Sequence, residues 1–224
     1  VGSSYRKAFS WTETSEKNNS LFNNSYSNPN DATATSISFW FRPEPAGSIS
    51  YIATLGGTST SNSAIVIWNT NDDFDFYFGN GTSNDKVEIN NIVTADKWIH
   101  VALTAYKNLS TTPKIWINGE SQDISSEYSS PGGTLDTINN ILIGDRSGTA
   151  GDNEVRGSIQ DFVVWNTELT NEDAAVLYNS GSWLDIHSHP SASSIWDWWE
   201  FSGSTSGSNL QANSISSVAP TIGR

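Results

Sequence analysis

The chain has 224 residues and no cysteine, which excludes disulfides, thiolate nucleophiles and thiolate metal sites. Its formal net charge is −13, from 11 Lys+Arg against 24 Asp+Glu. That sign disfavours nucleic acid and anionic membrane surfaces, which both attract basic proteins, and no apolar run reaches the roughly 18 residues of a membrane helix.

Taken in chain order, the segments read as strands. The opening VGSSYRKAFS lacks the apolar centre of a signal peptide. SISFWFRP alternates, with Ile37, Phe39 and Phe41 on one face and Ser38, Trp40 and Arg42 on the other. YIATLGG runs into a turn at Gly56 and Gly57, and SAIVIWN is a short β-branched run before the turn cluster NTNDD. FDFYFGNG sets Phe74, Phe76 and Phe78 on one face and ends on a turn; with KVEI it predicts a hairpin from Phe74 to Ile89. WIHVALTAY places Ile99, Val101 and Leu103 together, and KIWINGE closes on Asn118-Gly119, the usual pair for a type I′ turn. NILIGD, SIQDFVVWN and SIWDWWEF follow. The sequence predicts one helix near 171–178, with Thr170 as N-cap, Asp173 completing a capping box, Leu169 stapling onto Ala174, and Asn179 with Gly181 as the stop. About two turns are too short to persist alone, so this helix must pack through Ala175, Val176, Leu177 or Tyr178. Beyond about residue 202 lies a tail rich in Ser, Gly and Asn, with a last edge strand expected at SVAPTIG. Many short strands, ten Trp and one helix predict an all-β, two-sheet antiparallel sandwich or jelly roll as a single domain over 1–224.

The order of these segments resembles the concanavalin A-like, laminin-G-like (pentraxin-like) jelly-roll family. The segments that carry the resemblance are SISFWFRP, DKWIHVALTAY, KIWINGE, NILIGDRSG and above all GSIQDFVVWNTELTNED, Gly157 to Asp173. YNSGSWLDIHSHPSASSIWDWWEF resembles an extension seen in laminin-G-like proteins of tailed bacteriophages. The resemblance covers roughly Tyr5 to Phe201. It implies a non-enzymatic virion surface component: a capsid decoration, fibre or adhesin-like domain that contacts other virion proteins and, through its loops, cell-surface glycans. Self-association is a further expectation. The alternatives are a free carbohydrate-binding lectin or adhesin of a bacterium, in an extracellular setting, and a polysaccharide-degrading enzyme.

Four sets of residues raise chemistry. Asp145, Asp152, Asn153 and Glu154, on a glycine-rich loop, supply the hard oxygens that calcium takes; the plain alternative is a solvated turn. Trp68, Asn69, Asp72, Asp73, Tyr77 and Asn80 are the candidate glycan contacts, on the argument that sugars stack their apolar faces on aromatic rings flanked by amides and carboxylates. The competing reading is core and turn. Asp185, His187 and His189 would face one way on an extended segment and suit a transition metal, against a loop with two solvated histidines. A catalytic carboxylate pair, Asp152 with Glu154 or Asp73 with Asp75, lacks the E-x-D-x-x-E spacing of glucanases on this fold. Neither that spacing nor a G-x-S-x-G elbow occurs, so no catalytic residue is assigned.

Overall fold

The computed structural model describes residues 9–11, 21–23, 33–44, 50–57, 63–70, 72–144, 155–199 and 221–222. The strands are β1 (Phe9–Trp11), β2 (Leu21–Asn23), β3 (Ala34–Pro43), β4 (Ser50–Gly56), β5 (Ser63–Thr70), β6 (Asp73–Gly79) and β7 (Asn84–Ile89). They continue as β8 (Ile99–Tyr106), β9 (Lys114–Ile117), β10 (Glu120–Ser121), β11 (Ile141–Ile143), β12 (Gly157–Trp165), β13 (Ile195–Trp199) and β14 (Thr221–Ile222). One α-helix, α1 (Asn171–Tyr178), lies between β12 and β13.

The strands form two antiparallel sheets. The first runs β1-β12-β3-β8-β9-β10, with β13 also paired to β12; the second runs β14-β2-β11-β4-β5-β6-β7. This is the jelly-roll sandwich that the alternating strands predict. The period of two explains the core: Ile37, Phe39, Phe41, Ile99, Val101, Leu103, Ile115 and Ile117 from the first sheet meet Ile65, Ile67, Phe74, Phe76 and Phe78 from the second. Gly157 opens β12 at φ +145, where a Cβ would stand 2.3 Å from the Arg42 carbonyl oxygen. Glycine is required there because β12 passes against the end of β3.

The central strands of the first sheet are largely buried on both faces, and all nine residues of β12 are buried. Its outer face carries a second cluster, in which Trp116, Val163, Trp165 and Trp198 pack under Leu169, Ala174, Leu177 and Ile186. The helix is therefore a lid over this face. Its N-terminus has the predicted capping box: the Asp173 backbone N–H donates to Thr170 Oγ1 at 3.1 Å, and the Thr170 backbone N–H donates to Asp173 Oδ2 at 2.9 Å. Asn179 ends it in the left-handed region, at φ 47. The packing differs from expectation in one respect. Ala174 and Leu177 are the buried residues, whereas Ala175 and Val176 face outward. The staple between Leu169 and Ala174 sets the helix rotation, so the i, i+3 pair 174 and 177 points inward. Trp116 Nε1 donates to Asn171 Oδ1 at 2.8 Å and ties β9 to the start of the helix. The Asn118-Gly119 turn has positive φ at both residues, 51 and 78, as a type I′ turn requires.

Candidate functional site

On β5, Ile65 and Ile67 point into the core, so Val66 and Trp68 point out of the sandwich. Register then places Trp68 between Tyr51 on β4 and Asp75 on β6, with Val66 opposite Tyr77. One strand further, Asp75 faces Glu88 and Tyr77 faces Lys86 on β7. The outer face of the second sheet thus carries Tyr51, Trp68 and Tyr77 beside Asp75, Lys86 and Glu88. The Trp68 ring centroid lies 5.0 Å from that of Tyr51 and 5.6 Å from that of Tyr77, with the Tyr77 ring edge-on. Trp68 and Tyr77 are half-buried, and Tyr51 is buried.

The polar groups are tied to this aromatic corner. Trp68 Nε1 donates to Asp75 Oδ2. Asp75 Oδ1 accepts no hydrogen bond, although Lys86 Nζ stands 3.5 Å away at ion-pair distance. Burial raises the Asp75 pKa, while the Trp68 N–H and the Lys86 charge oppose that rise. Tyr77 is pushed up to about 12, first by burial and then by the Asp75 charge, so it keeps its hydroxyl proton. Lys86 also donates to Glu88, which raises the lysine and lowers the glutamate. The arrangement offers a tilted aromatic surface, a phenolic donor, an ammonium and carboxylate acceptors within neighbouring strand positions.

The structure gathers only some of the sequence candidates. Trp68 and Tyr77 come together as β5 and β6 pair. Asn69 sits opposite Phe74 on the core-facing side and is 3 % exposed, so it cannot share the Trp68 face. Asp72 is exposed in the β5–β6 turn, where its carbonyl accepts the Ile92 and Val93 N–H groups. Asp73 caps the Asn91 N–H at 2.8 Å. Asn80, expected near Trp68, lies at the other end of the hairpin. There its side-chain oxygen accepts from Thr82 and Ser83, as an Asx turn requires, and its amide donates to the Gly132 carbonyl. Tyr51, Asp75, Lys86 and Glu88 were missed. The signal available was strand pairing: Trp68 opposite Asp75 follows once the Asp72 turn is read as the centre of a hairpin.

Asp145, Asp152, Asn153 and Glu154 lie outside the described residues. The two ends of their loop are joined: the Val155 N–H donates to the Gly144 carbonyl at 3.0 Å, and the Gly144 N–H donates to the Ile52 carbonyl at 2.8 Å. The histidine segment is a 3-10 turn over Ile186–Ser188 rather than an extended run, which turns the two rings apart. His187 is exposed and edge-on to Trp198, with centroids 4.8 Å apart. His189 is buried; its Nδ1 accepts the Ser191 N–H and its Nε2 lies 3.2 Å from the Asp173 carbonyl, so it pins the helix. Among the described residues no group of three His, Asp or Glu side chains could hold a metal.

The sandwich, its cover helix and its motif order define a lectin-like jelly roll. Sequence comparison agrees, because the profile of the Concanavalin A-like lectin/glucanases superfamily matches residues 15–175, and the chain belongs to that family. No curated protein matches the chain in sequence. Among solved structures it is similar to the botulinum neurotoxin serotype D binding domain, at 19% identity and TM-score 0.55, covering 75% of this chain and 41% of that one. It is also similar to the binding domain of botulinum neurotoxin DC in complex with SialylT, at 20% identity and TM-score 0.52, over 67% of this chain and 36% of that one. A native heptameric SAP-like pentraxin from Limulus polyphemus matches at 14% identity and TM-score 0.52, over 76% of this chain and 80% of that one. The chain spans about two fifths of the length of the toxin binding domains it matches. At these identities the likeness is one of fold.

Proposed function

We infer that the chain is a non-enzymatic recognition domain that binds glycans on the outer face of its second sheet. The observation that carries this is the half-buried Trp68 ring held between Tyr51 and Tyr77 with Asp75 and Lys86 beside it. A sugar's C–H face would stack on Trp68, while the Tyr77 hydroxyl, Lys86 and Glu88 would meet its hydroxyl groups. Two family neighbours are described as toxin binding domains, one in complex with SialylT, and both facts support the reading. Non-enzymatic use is supported by how the strand aspartates are occupied: Asp73 caps a loop and Asp75 holds Trp68. The test is a glycan array with wild type and Trp68→Ala. Binding that disappears in the variant supports the reading, and depolymerisation of any bound polysaccharide overturns it.

The setting is proposed on sequence resemblance alone. The segment from Tyr178 to Phe201 favours a virion surface, where this domain would contact other virion proteins. Immunogold labelling of purified particles tests it, and labelling absent from particles refutes it. The heptameric neighbour supports self-association, which light scattering of the purified chain reads directly. Calcium at Asp145, Asp152, Asn153 and Glu154 is proposed from the oxygen-donor chemistry of those residues. Calorimetric titration with calcium chloride tests it, and no heat above buffer dilution refutes it.

A further inference from the structure

The outer face of the first sheet is not covered uniformly. Over its lower part lies the helix; over the rows nearest Gly157 lies an aromatic group. Register across β12, β3 and β8 puts Gln160, Trp40 and His100 in one row. Ser158 and Arg42 form the next row, and Trp98 precedes Ile99, the partner of Phe41. Trp183, from the turn after the helix, bridges the two rows: its ring lies 4.8 Å from Trp40 and 5.3 Å from Trp98, edge-on to both. Trp40 is buried beneath, whereas Trp98 and Trp183 are half-buried and form an open corner.

Two observations single out this corner and the layer beneath it. The first is charge. Arg42 is exposed, with its guanidinium 5.8 Å from the Trp98 ring centroid, and among the described residues it has no carboxylate partner. Lys97, next to Trp98, is exposed and also lacks an ion pair among the described residues. In a chain of net charge −13, two free cations on one corner are a local exception. The acidic neighbours are Glu44, two residues beyond Arg42, and Asp96, whose N–H donates to the Pro43 carbonyl at 2.9 Å; neither pairs with the guanidinium. The second is the floor. Gln160 is 1 % exposed and His100 2 % exposed, and Gln160 Nε2 and His100 Nδ1 have no hydrogen-bond partner. Buried polar atoms are nearly always partnered, so two together in the Trp40 row mark an incomplete polar environment. Burial also holds His100 near pKa about 3, so the ring is neutral and adds no charge of its own.

We propose that the Arg42–Trp98–Trp183 corner is a second saccharide site, separate from Trp68, and that it selects sugars bearing a carboxylate. The sugar's apolar face stacks in the Trp98–Trp183 corner, and its carboxylate takes the forked N–H donors of Arg42, whose guanidinium stays in place against Trp98. Such charge-assisted bonds distinguish an acid from its neutral ester, which Trp stacking alone does not.

The probes are D-glucuronate and N-acetylneuraminate, each beside its methyl ester, added to 15N-labelled protein. The indole N–H signals of Trp98 and Trp183, assigned from Trp98→Phe and Trp183→Phe, are the readout. The acids should move both signals at concentrations at least about tenfold lower than the esters do. Response to one acid alone assigns the source of the carboxylate and still supports the site. Arg42→Gln, at an exposed position, should bring acid and ester to the same weak affinity, and the Trp98 and Trp183 signals should respond to the acids alike with or without Trp68. Equal binding of acid and ester by wild type overturns the proposal, as does a response confined to Trp68 or no response at all.

Discussion

Asp197 stands opposite Val164 on β13, a position whose side chain points toward the core, and it is 0 % exposed. Its Oδ1 accepts the Trp198 backbone N–H at 3.1 Å, but its Oδ2 has no partner. Burial raises its pKa to about 7 from an ordinary value of 3.8, and the Trp198 bond only partly offsets that. The sign follows directly. Between these two values the folded chain holds a proton that the unfolded chain has released, so stability falls as pH rises through that window. A gap of about three pH units at 1.36 kcal/mol each gives a cost of about 4 kcal/mol above pH 7. Asp197→Asn keeps the shape and the acceptor for Trp198 but removes the titration. Urea unfolding at steps from pH 4.5 to 8 should show the two chains nearly equal at the acid end. Toward pH 8 the variant should become the more stable by a few kcal/mol. Parallel stability profiles across the range would refute the reasoning, because they would mean that Asp197 has the same pKa folded and unfolded.

Three further outcomes follow from the fold. Gly157→Ala places a Cβ 2.3 Å from the Arg42 carbonyl oxygen at φ +145, and should lower stability by about 3 kcal/mol, read as a drop of roughly 6–12 °C in Tm. Thr170→Ala removes the Oγ1 that accepts the Asp173 N–H while keeping the backbone N–H bond to Asp173 Oδ2, and should cost about 1 kcal/mol in chemical denaturation, without changing glycan binding at Trp68. Lys114→Ala breaks the Lys114–Glu168 pair, whose side chains are 45% and 42% exposed, and should change stability by no more than about 0.5 kcal/mol in the same assay.

Much of the sandwich was legible because alternation of period two is a strong signal wherever one face is buried. Ile37, Phe39 and Phe41, and Phe74, Phe76 and Phe78, share core faces as their alternation in the sequence implies. The helix was legible for a different reason: Thr170, Asp173 and Asn179 are local chemistry, and caps form between residues close in sequence. Its inward face was implicit in the Leu169–Ala174 staple, which turns Ala174 and Leu177 toward Trp116 and Trp165 and leaves Ala175 and Val176 outside. Short strands such as Phe9–Trp11 and Leu21–Asn23 gave no periodic signal, since three residues cannot alternate enough to be read.

The site was legible in two of its aromatics and illegible in Tyr51 and in its polar members. Trp68 and Tyr77 stood out by residue type, but Asp75, Lys86 and Glu88 enter only through cross-strand register. Asn80 misled because an amide beside two glycines serves a turn as readily as it serves a sugar. The histidines misled in the same way: an extended reading of His187 and His189 aligned them, and a 3-10 turn separates them.

The most direct measurement is a titration of 15N-labelled protein with a neutral oligosaccharide, one without a carboxylate, found to bind it, following the tryptophan indole signals. If the outer face of the second sheet is the recognition surface, the Trp68 indole signal shifts, Trp68→Ala loses the binding, and the sugar chain is recovered at its original length. Binding that persists unchanged in Trp68→Ala, or a shortened sugar, would contradict the account.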